Sequence, residues 1–342
     1  MNNAGTCLSI ETTAVTPGLS FRFVRNFSLF SEGFPTRSAC GNDSIKARTT
    51  IQTGSNPHEG NVRAWISSLI ILLTLSAFPC PAHAGQPYSA ALRLKDRKIV
   101  SLDEMLRDIR GADLLFLGED HDDELHHRAQ LQIISALHES GRPIALGLEM
   151  FRAEAQPRLD LWTAGKLDMN SFIKTYEANW SVPWHLYQDI LLYVREHNLP
   201  LIGLNIPDAV AARIARDGFG SLKGEEKKHL PTGITCTIDS QYRDFIRRAY
   251  QAHGGRDKFE NFCEAQMVWD KTMAFRIVEY RKKHPGQTVV VLAGTGHSWK
   301  PGIPAQVQLL SKQSYRVVLP LSSKLPSGSS IGFPDADYVL IR

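Results

Sequence analysis

No G-x-G-x-x-G follows an apolar run in this chain, and there is no P-loop, so the glycine-rich cradle that usually holds a nucleotide's phosphates is missing. Neither sign of charge dominates. The net charge is +4, basic residues are scattered, and no groove-reading motif or aromatic RNA signature occurs, which argues against nucleic acid as a partner. Long apolar runs are also lacking. The stretch from Ala64 to Phe78 is shorter than the ~20 residues a membrane helix needs. Cysteine is scarce, and only Cys236 and Cys263 lie beyond residue 84. Neither belongs to a C-x-x-C pair, which argues against structural zinc and a thioredoxin-like role. No repeat of solenoid period is visible. What is present is ordinary for a globular protein: 43% hydrophobic and 22% charged residues in a chain of 342, enough for one large domain or two small ones.

The organisation of the N-terminal quarter is read from composition. Residues 1–60 are rich in Ser, Thr, Asn and Gly without a sustained period, and read as disordered or as an upstream extension, with Val62 a candidate start. Residues 61–84 have the pattern of an export signal: Arg63 in the n-region, the apolar run 64–78, and Ala82-His83-Ala84 as an A-x-A cleavage site. Residues 85–342 then form the mature domain. An exported chain with an even pair of cysteines suggests one disulfide, Cys236–Cys263, the alternative being two separate buried thiols. Cys80 follows Pro79, a poor context for lipid attachment, so membrane association lacks a convincing lipobox. A periplasmic or membrane-associated location is expected, and a homodimer is left open.

Along the mature chain, apolar runs alternate with helical periods. Strands are expected at 112–119, 144–150, 200–206, 288–294 and 315–321, with a short last strand near 337–342. Their continuous apolar character suits burial on both faces of a parallel sheet. Helices are expected at 123–140 (N-cap Asp122 or Asp123, stop at Gly141), 152–165, 168–178, 184–198 and 258–283. The charged region 207–257 reads as a helical insertion or lid. The expected fold is therefore α/β, with a central, mainly parallel sheet, helices on both faces and a helical insertion near the carboxyl edge.

Chemistry-bearing residues gather at the strand ends, where open α/β sheets bind ligands. The first strand runs into Gly118-Glu119-Asp120-His121, the second into Glu149, the third into Asn205, and the fourth into Gly294-Thr295-Gly296-His297. Taken singly, each reads equally well as a helix cap or a core residue. Together, Glu119, His121, Glu149 and His297 form a mixed nitrogen–oxygen set suited to manganese, zinc or iron, and such a metal would activate water for hydrolysis. His127 is expected to face the ligand or support the site, and His126 to be solvated. Gln266 and Asp270 share a helix face as a surface pair or as partners of ligating groups. Trp180, Trp184 and Tyr187 read as core or as walls for a flat apolar ligand.

These motifs resemble the ChaN-type proteins. The resemblance rests on Gly118-Glu119-Asp120-His121 with His126 to Gln130, Leu148 to Phe151, Trp184 to Tyr187, Gly203 to Asn205, Gln266 to Ala274, and Gly294 to His297 with Gly302 to Pro304. They occur in the right order over about 95–320. The family is grouped with Tiki and erythromycin esterase-like proteins. The resemblance implies an exported haem-binding protein of haem or iron uptake, with haem as cofactor and partner. The cofactor set would then draw on His127, Tyr187 or Tyr242 as axial ligand, with Trp184, Asn205 and Lys300 lining the slot and holding the propionates. The alternative implied by the Tiki relatives is a metal-dependent hydrolase with Glu119, His121, Glu149 and His297 as catalytic residues and metal ligands.

The export pattern gives the first testable expectation. The mature protein should begin near Gly85 in the periplasm, and N-terminal sequencing of the native protein checks it. Recovery of residues 2–60 from the cytosol contradicts it.

Overall fold

A computed structural model describes residues 88–341 apart from 229, 237, 239, 253, 256–257 and 322–330. The expected extension and export signal lie outside the described residues. Eight strands form one sheet: β1 Ala90–Arg93, β2 Lys98–Ser101, β3 Leu114–Glu119, β4 Ile144–Arg152, β5 Leu201–Asn205, β6 Thr288–Gly294, β7 Tyr315–Pro320 and β8 Tyr338–Ile341. The helices are α1 Leu102–Ile109, α2 Glu124–Glu139, α3 Gln156–Thr163, α4 Met169–Asn179, α5 Trp184–Glu196, α6 Asp208–Asp217, α7 Glu225–Lys228, α8 Ser240–Ala252, α9 Phe259–Lys283, α10 Thr295–Ser298 and α11 Ile303–Leu310. No described helix is long and apolar enough to cross a membrane.

The sheet order is β2-β1-β8-β7-β3-β6-β4-β5. Strands β8, β7, β3, β6, β4 and β5 are mutually parallel, and the β1–β2 hairpin closes one edge antiparallel. Successive side chains of a strand point to opposite faces, and here both faces are covered. Leu115, Leu117, Val290 and Leu292 pack under α1–α5, while Leu114, Phe116, Val289 and Val291 pack under α6, α8, α9 and α11. This double burial explains why the strands read as unbroken apolar runs. The β1–β2 hairpin and α1 were not foreseen. Four-residue strands with Ile99 exposed carry too little alternation to register.

Helix starts follow local chemistry. The Asp123 carboxylate accepts the Leu125 N–H at 2.9 Å and starts α2 directly after β3. The expected insertion is present as α6, α7 and α8. The segment before its last helix is tied to α9 by the Cys236–Cys263 disulfide, with Cα atoms 5.5 Å apart. The bond spans 27 residues of sequence, so replacing both cysteines by serine should lower stability by about 3 kcal/mol on the chain-entropy account. Chemical denaturation of the double variant and of the reduced wild type checks this. Two freely alkylatable thiols in the native protein would contradict the pairing.

Candidate functional site

The order of the strands creates the site. Strands β3, β6, β4 and β5 are adjacent, so the carboxyl ends carrying Glu119, Gly294 with His297, Glu149 and Asn205 stand side by side. Glu119 lies opposite Gly294 in the parallel register. The two Gly-x-x-His strand ends therefore meet at neighbouring strands, and a side chain on either glycine would crowd a neighbouring side chain. A Cβ on Gly118 would lie 2.6 Å from Leu319 Cδ2, and one on Gly294 would lie 2.9 Å from both Cε1 and Nε2 of His121. The His121 ring rests on the bare backbone of Gly294.

Glu119 is the buried centre. Its Oε1 accepts hydrogen bonds from Tyr187 Oη and, at 2.7 Å, from His121 Nδ1, and its Oε2 accepts from Gln130 Nε2 at 2.8 Å. His127 Nδ1 stands 3.6 Å from Oε2. Burial by itself pushes this carboxyl up. The His127 and His121 imidazoles and the hydrogen bonds outweigh that and hold it down to about 2. Glu119 is thus an anion enclosed by donors.

A second carboxylate–imidazole pair stands across the cleft. Asp270, fully buried on α9, bonds His297 Nδ1 at 2.7 Å and accepts from Tyr242 Oη. Glu149 lies between the pairs: its Oε2 accepts the Gly294 N–H at 2.7 Å, and its Oε1 is 3.8 Å from His297 Nε2. Burial lowers both imidazoles. The Glu149 charge, with Glu119 for His121 and Asp270 for His297, wins and raises both, His297 to about 9. Burial raises Asp270 and the phenols of Tyr187 and Tyr242. The His121 and His297 side chains keep 17% and 13% of their surface exposed, so these imidazoles are the parts of the network a ligand can reach. Trp180 meets the His121 ring edge-on at 5.0 Å, and Trp269 does the same for His297 at 5.9 Å.

The structure distributes the remaining expected residues unevenly. His127 comes to the site, but it is buried, with Nε2 3.1 Å from the His121 carbonyl and its ring 4.2 Å from that of Tyr187. Tyr187 and Tyr242 are buried, each with its hydroxyl engaged by a carboxylate. Asn205 holds the Glu149 carbonyl at 2.9 Å and so fixes the end of β4. Trp184 is half-buried and packs on Phe172 and Tyr176 at the edge of the core. Lys300 lies elsewhere: its Nζ bonds the Phe333 carbonyl and, at 2.9 Å, Asp337. His126 is buried, not solvated. Its Nδ1 accepts the Asp120 N–H at 2.9 Å, which requires the neutral ring that burial favours.

Several contributors were not singled out from sequence. Gln130 and Thr295, which bond Glu119, lie within the family-like motifs but have no role assigned from sequence. Asp270, which shares a helix face with Gln266 and lies in the Gln266 to Ala274 motif, is a partner of His297 rather than part of a surface pair. Among the described residues, no three His, Cys, Asp or Glu side chains stand together as ligands for one ion. Glu119, the expected fourth ligand, has both oxygens occupied by protein donors.

The raised imidazoles fix a pH dependence. A histidine whose pKa rises on folding contributes stability that is complete below its unfolded value, near 6.5, and lost as pH climbs through the folded value, about 9 for His297. Stability should therefore decline from about pH 6.5 to 9, by up to about 3 kcal/mol. His297→Asn should flatten that limb in denaturant titrations across this range, and an unchanged slope would contradict the assignment.

Comparison with known proteins identifies the family and the fold. The family model described as haem-binding uptake, Tiki superfamily, ChaN matches residues 105–307. Among solved structures, that of cofacial heme binding to ChaN of Campylobacter jejuni is similar in fold, with a TM-score of 0.60 and 22% identity over 74% of this chain and 96% of that chain. An erythromycin esterase EreC mutant in its open conformation matches with a TM-score of 0.42 and 16% identity, over 74% of this chain and 82% of that one. No curated protein matches. The matched span runs from α1 to α11 and holds both carboxylate–imidazole pairs, and the chain belongs to the haem-binding uptake family of the Tiki superfamily, ChaN.

Proposed function

We propose that the protein binds haem and serves haem or iron uptake after export. Membership of the haem-binding uptake family supports the ligand, and the Campylobacter jejuni relative binds heme cofacially. The observation that carries the reading to this chain is the state of the two reachable imidazoles. Each has Nδ1 tied to a buried carboxylate, which leaves Nε2 as the nitrogen for a ligand, and the raised proton affinity means that Nε2 must give up a proton when iron binds. That is the way proteins orient histidines that ligate a metal. Haem also needs apolar walls, and Trp180 and Trp269 flank the two rings. The donor set therefore favours His121 or His297 as the axial ligand over His127, Tyr187 and Tyr242, whose polar atoms are engaged inside the protein. When bound, haem supplies the iron. The chain's own residues orient the imidazoles and exclude water behind them. The even cysteine pair, bonded here, and the A-x-A pattern support export.

A second reading is hydrolysis. Glu149 between two imidazoles supports it, since such groups can pass a proton to and from a bound water or leaving group. A divalent ion belongs to this reading as well, and a metal site would need Glu119 to release its present donors.

One set of measurements separates the readings. Haem titrated into the purified protein should shift the Soret band. His121→Ala or His297→Ala should alter the bound spectrum and weaken binding at least about tenfold, while Tyr242→Phe should keep the spectrum. An unshifted band in wild type removes the haem reading. Calorimetric titration of manganese and zinc into wild type and His297→Ala tests the other, and equal affinities remove the paired-histidine metal site.

A further inference from the structure

A second feature lies next to the cleft, beyond the end of β4. A surface depression of about 400 Å³ is lined by Arg152, Glu154, Arg158, Lys174, Thr175 and Asn179, among others. Three of these are cations and one is an acid. Their partners decide which charges are left to act. Arg152 is answered by Asp208 at 3.3 Å and also bonds the Ala178 carbonyl. Glu154 acts on Arg276 of α9, whose guanidinium is partly desolvated. Arg158 is held in place by Thr175 Oγ1 at 2.6 Å and by the Ser171 carbonyl at 3.0 Å, both neutral acceptors. Arg158 and Lys174 have no carboxylate partner among the described residues. The depression thus contains, beside the Glu154 carboxylate, two cations that form no ion pair among the described residues, one of them fixed in orientation by two hydrogen bonds from its own guanidinium.

The position relates it to the cleft. Arg152 ends β4 three residues after Glu149, at most about 10 Å away along an extended strand. Asn179 accepts the Arg152 N–H at 3.1 Å and directly precedes Trp180, the residue packed on His121. The depression and the cleft thus draw on neighbouring residues of the same two segments, the end of β4 and the end of α4.

We propose that the depression is an oxyanion seat, in which Arg158 and Lys174 take a carboxylate of the ligand held over His121 and His297. In this form the proposal rests on the haem reading, since haem carries two propionates. The guanidinium offers a fixed donor and the ammonium a mobile one, a combination suited to a carboxylate or a phosphate. Lys300, bonded to Asp337, does not supply this role.

Three titrations test it. Haem and haem with both propionates methyl-esterified are titrated by Soret absorbance, and inorganic phosphate by calorimetry, into wild type, Lys174→Glu and Arg158→Gln. Lys174 is exposed and makes no hydrogen bond or ion pair among the described residues, so its variant should keep the wild-type thermal melt. Wild type should bind haem about tenfold tighter than the diester, as expected for losing one charge-assisted hydrogen bond, and both variants should close that gap. Equal binding of haem and diester, with saturable phosphate binding that Lys174→Glu abolishes, assigns the seat to a free oxyanion instead. If wild type gives no Soret shift, the haem reading fails, and the phosphate titration alone decides the seat. Equal haem and diester binding, or no haem binding, together with no phosphate binding overturns the proposal.

Discussion

A carboxylate with no solvent contact at the end of β3 can remain charged only if protein groups replace its water, and much of the site exists to do this for Glu119. Tyr187 from α5, Gln130 from α2 and His121 from the β3–α2 turn donate to it, and His127 lies close by. These donors come from three segments, so the carboxylate fixes α2 and α5 relative to the sheet. Removing one partner of such a buried charge typically costs about 3–5 kcal/mol. That is far more than the exposed pairs contribute, such as Lys228–Glu225 or Lys282–Glu279, for which surface exposure and salt leave little.

The same solution recurs on the other side of Glu149. Asp270 holds His297 as Glu119 holds His121, and Tyr242 stands to Asp270 as Tyr187 stands to Glu119. In each pair a buried acid orients an imidazole and raises its proton affinity, and a tyrosine behind the acid occupies another lone pair. The two halves come from opposite faces of the sheet: α2 and α5 from one, α8 and α9 from the other. The tyrosines are therefore supports for the acids, and the reachable chemistry is concentrated in His121, His297 and the Glu149 carboxylate between them.

The insertion takes part in this arrangement. Helix α8 carries Tyr242 to Asp270 and places the Phe245 ring where a Cβ on Gly296 would come within 2.5 Å of it. The disulfide anchors the segment before α8 to α9, the helix that bears Asp270. The covalent link and the hydrogen bond thus both tie the insertion to α9, so the position of the insertion and the orientation of His297 depend on each other.

Much of the fold was legible because its signals are local. Unbroken apolar runs such as Thr288 to Ala293 mark strands covered on both faces, the 3.6-residue period and Asp123 mark α2, and both Gly-x-x-His turns stand at strand ends. Glu119, His121, Glu149 and His297 were legible for the same reason, since a polar residue ending a buried strand stands out in the sequence. What lay beyond the sequence was adjacency. The chain order β3, β4, β5, β6 becomes β3, β6, β4, β5 in space, and only this brings Gly294 against His121. Nor can sequence reveal which way a side chain faces. Burial sets His127, Tyr187 and Tyr242 against carboxylates, Lys300 bonds Asp337, and Asp270 stands against His297. The sequence by itself determined the kinds of element and the residues at their ends. The tertiary structure decided which of those residues are enclosed and which reach the cleft, because the cost of burying a charge depends on neighbours that are distant in the chain.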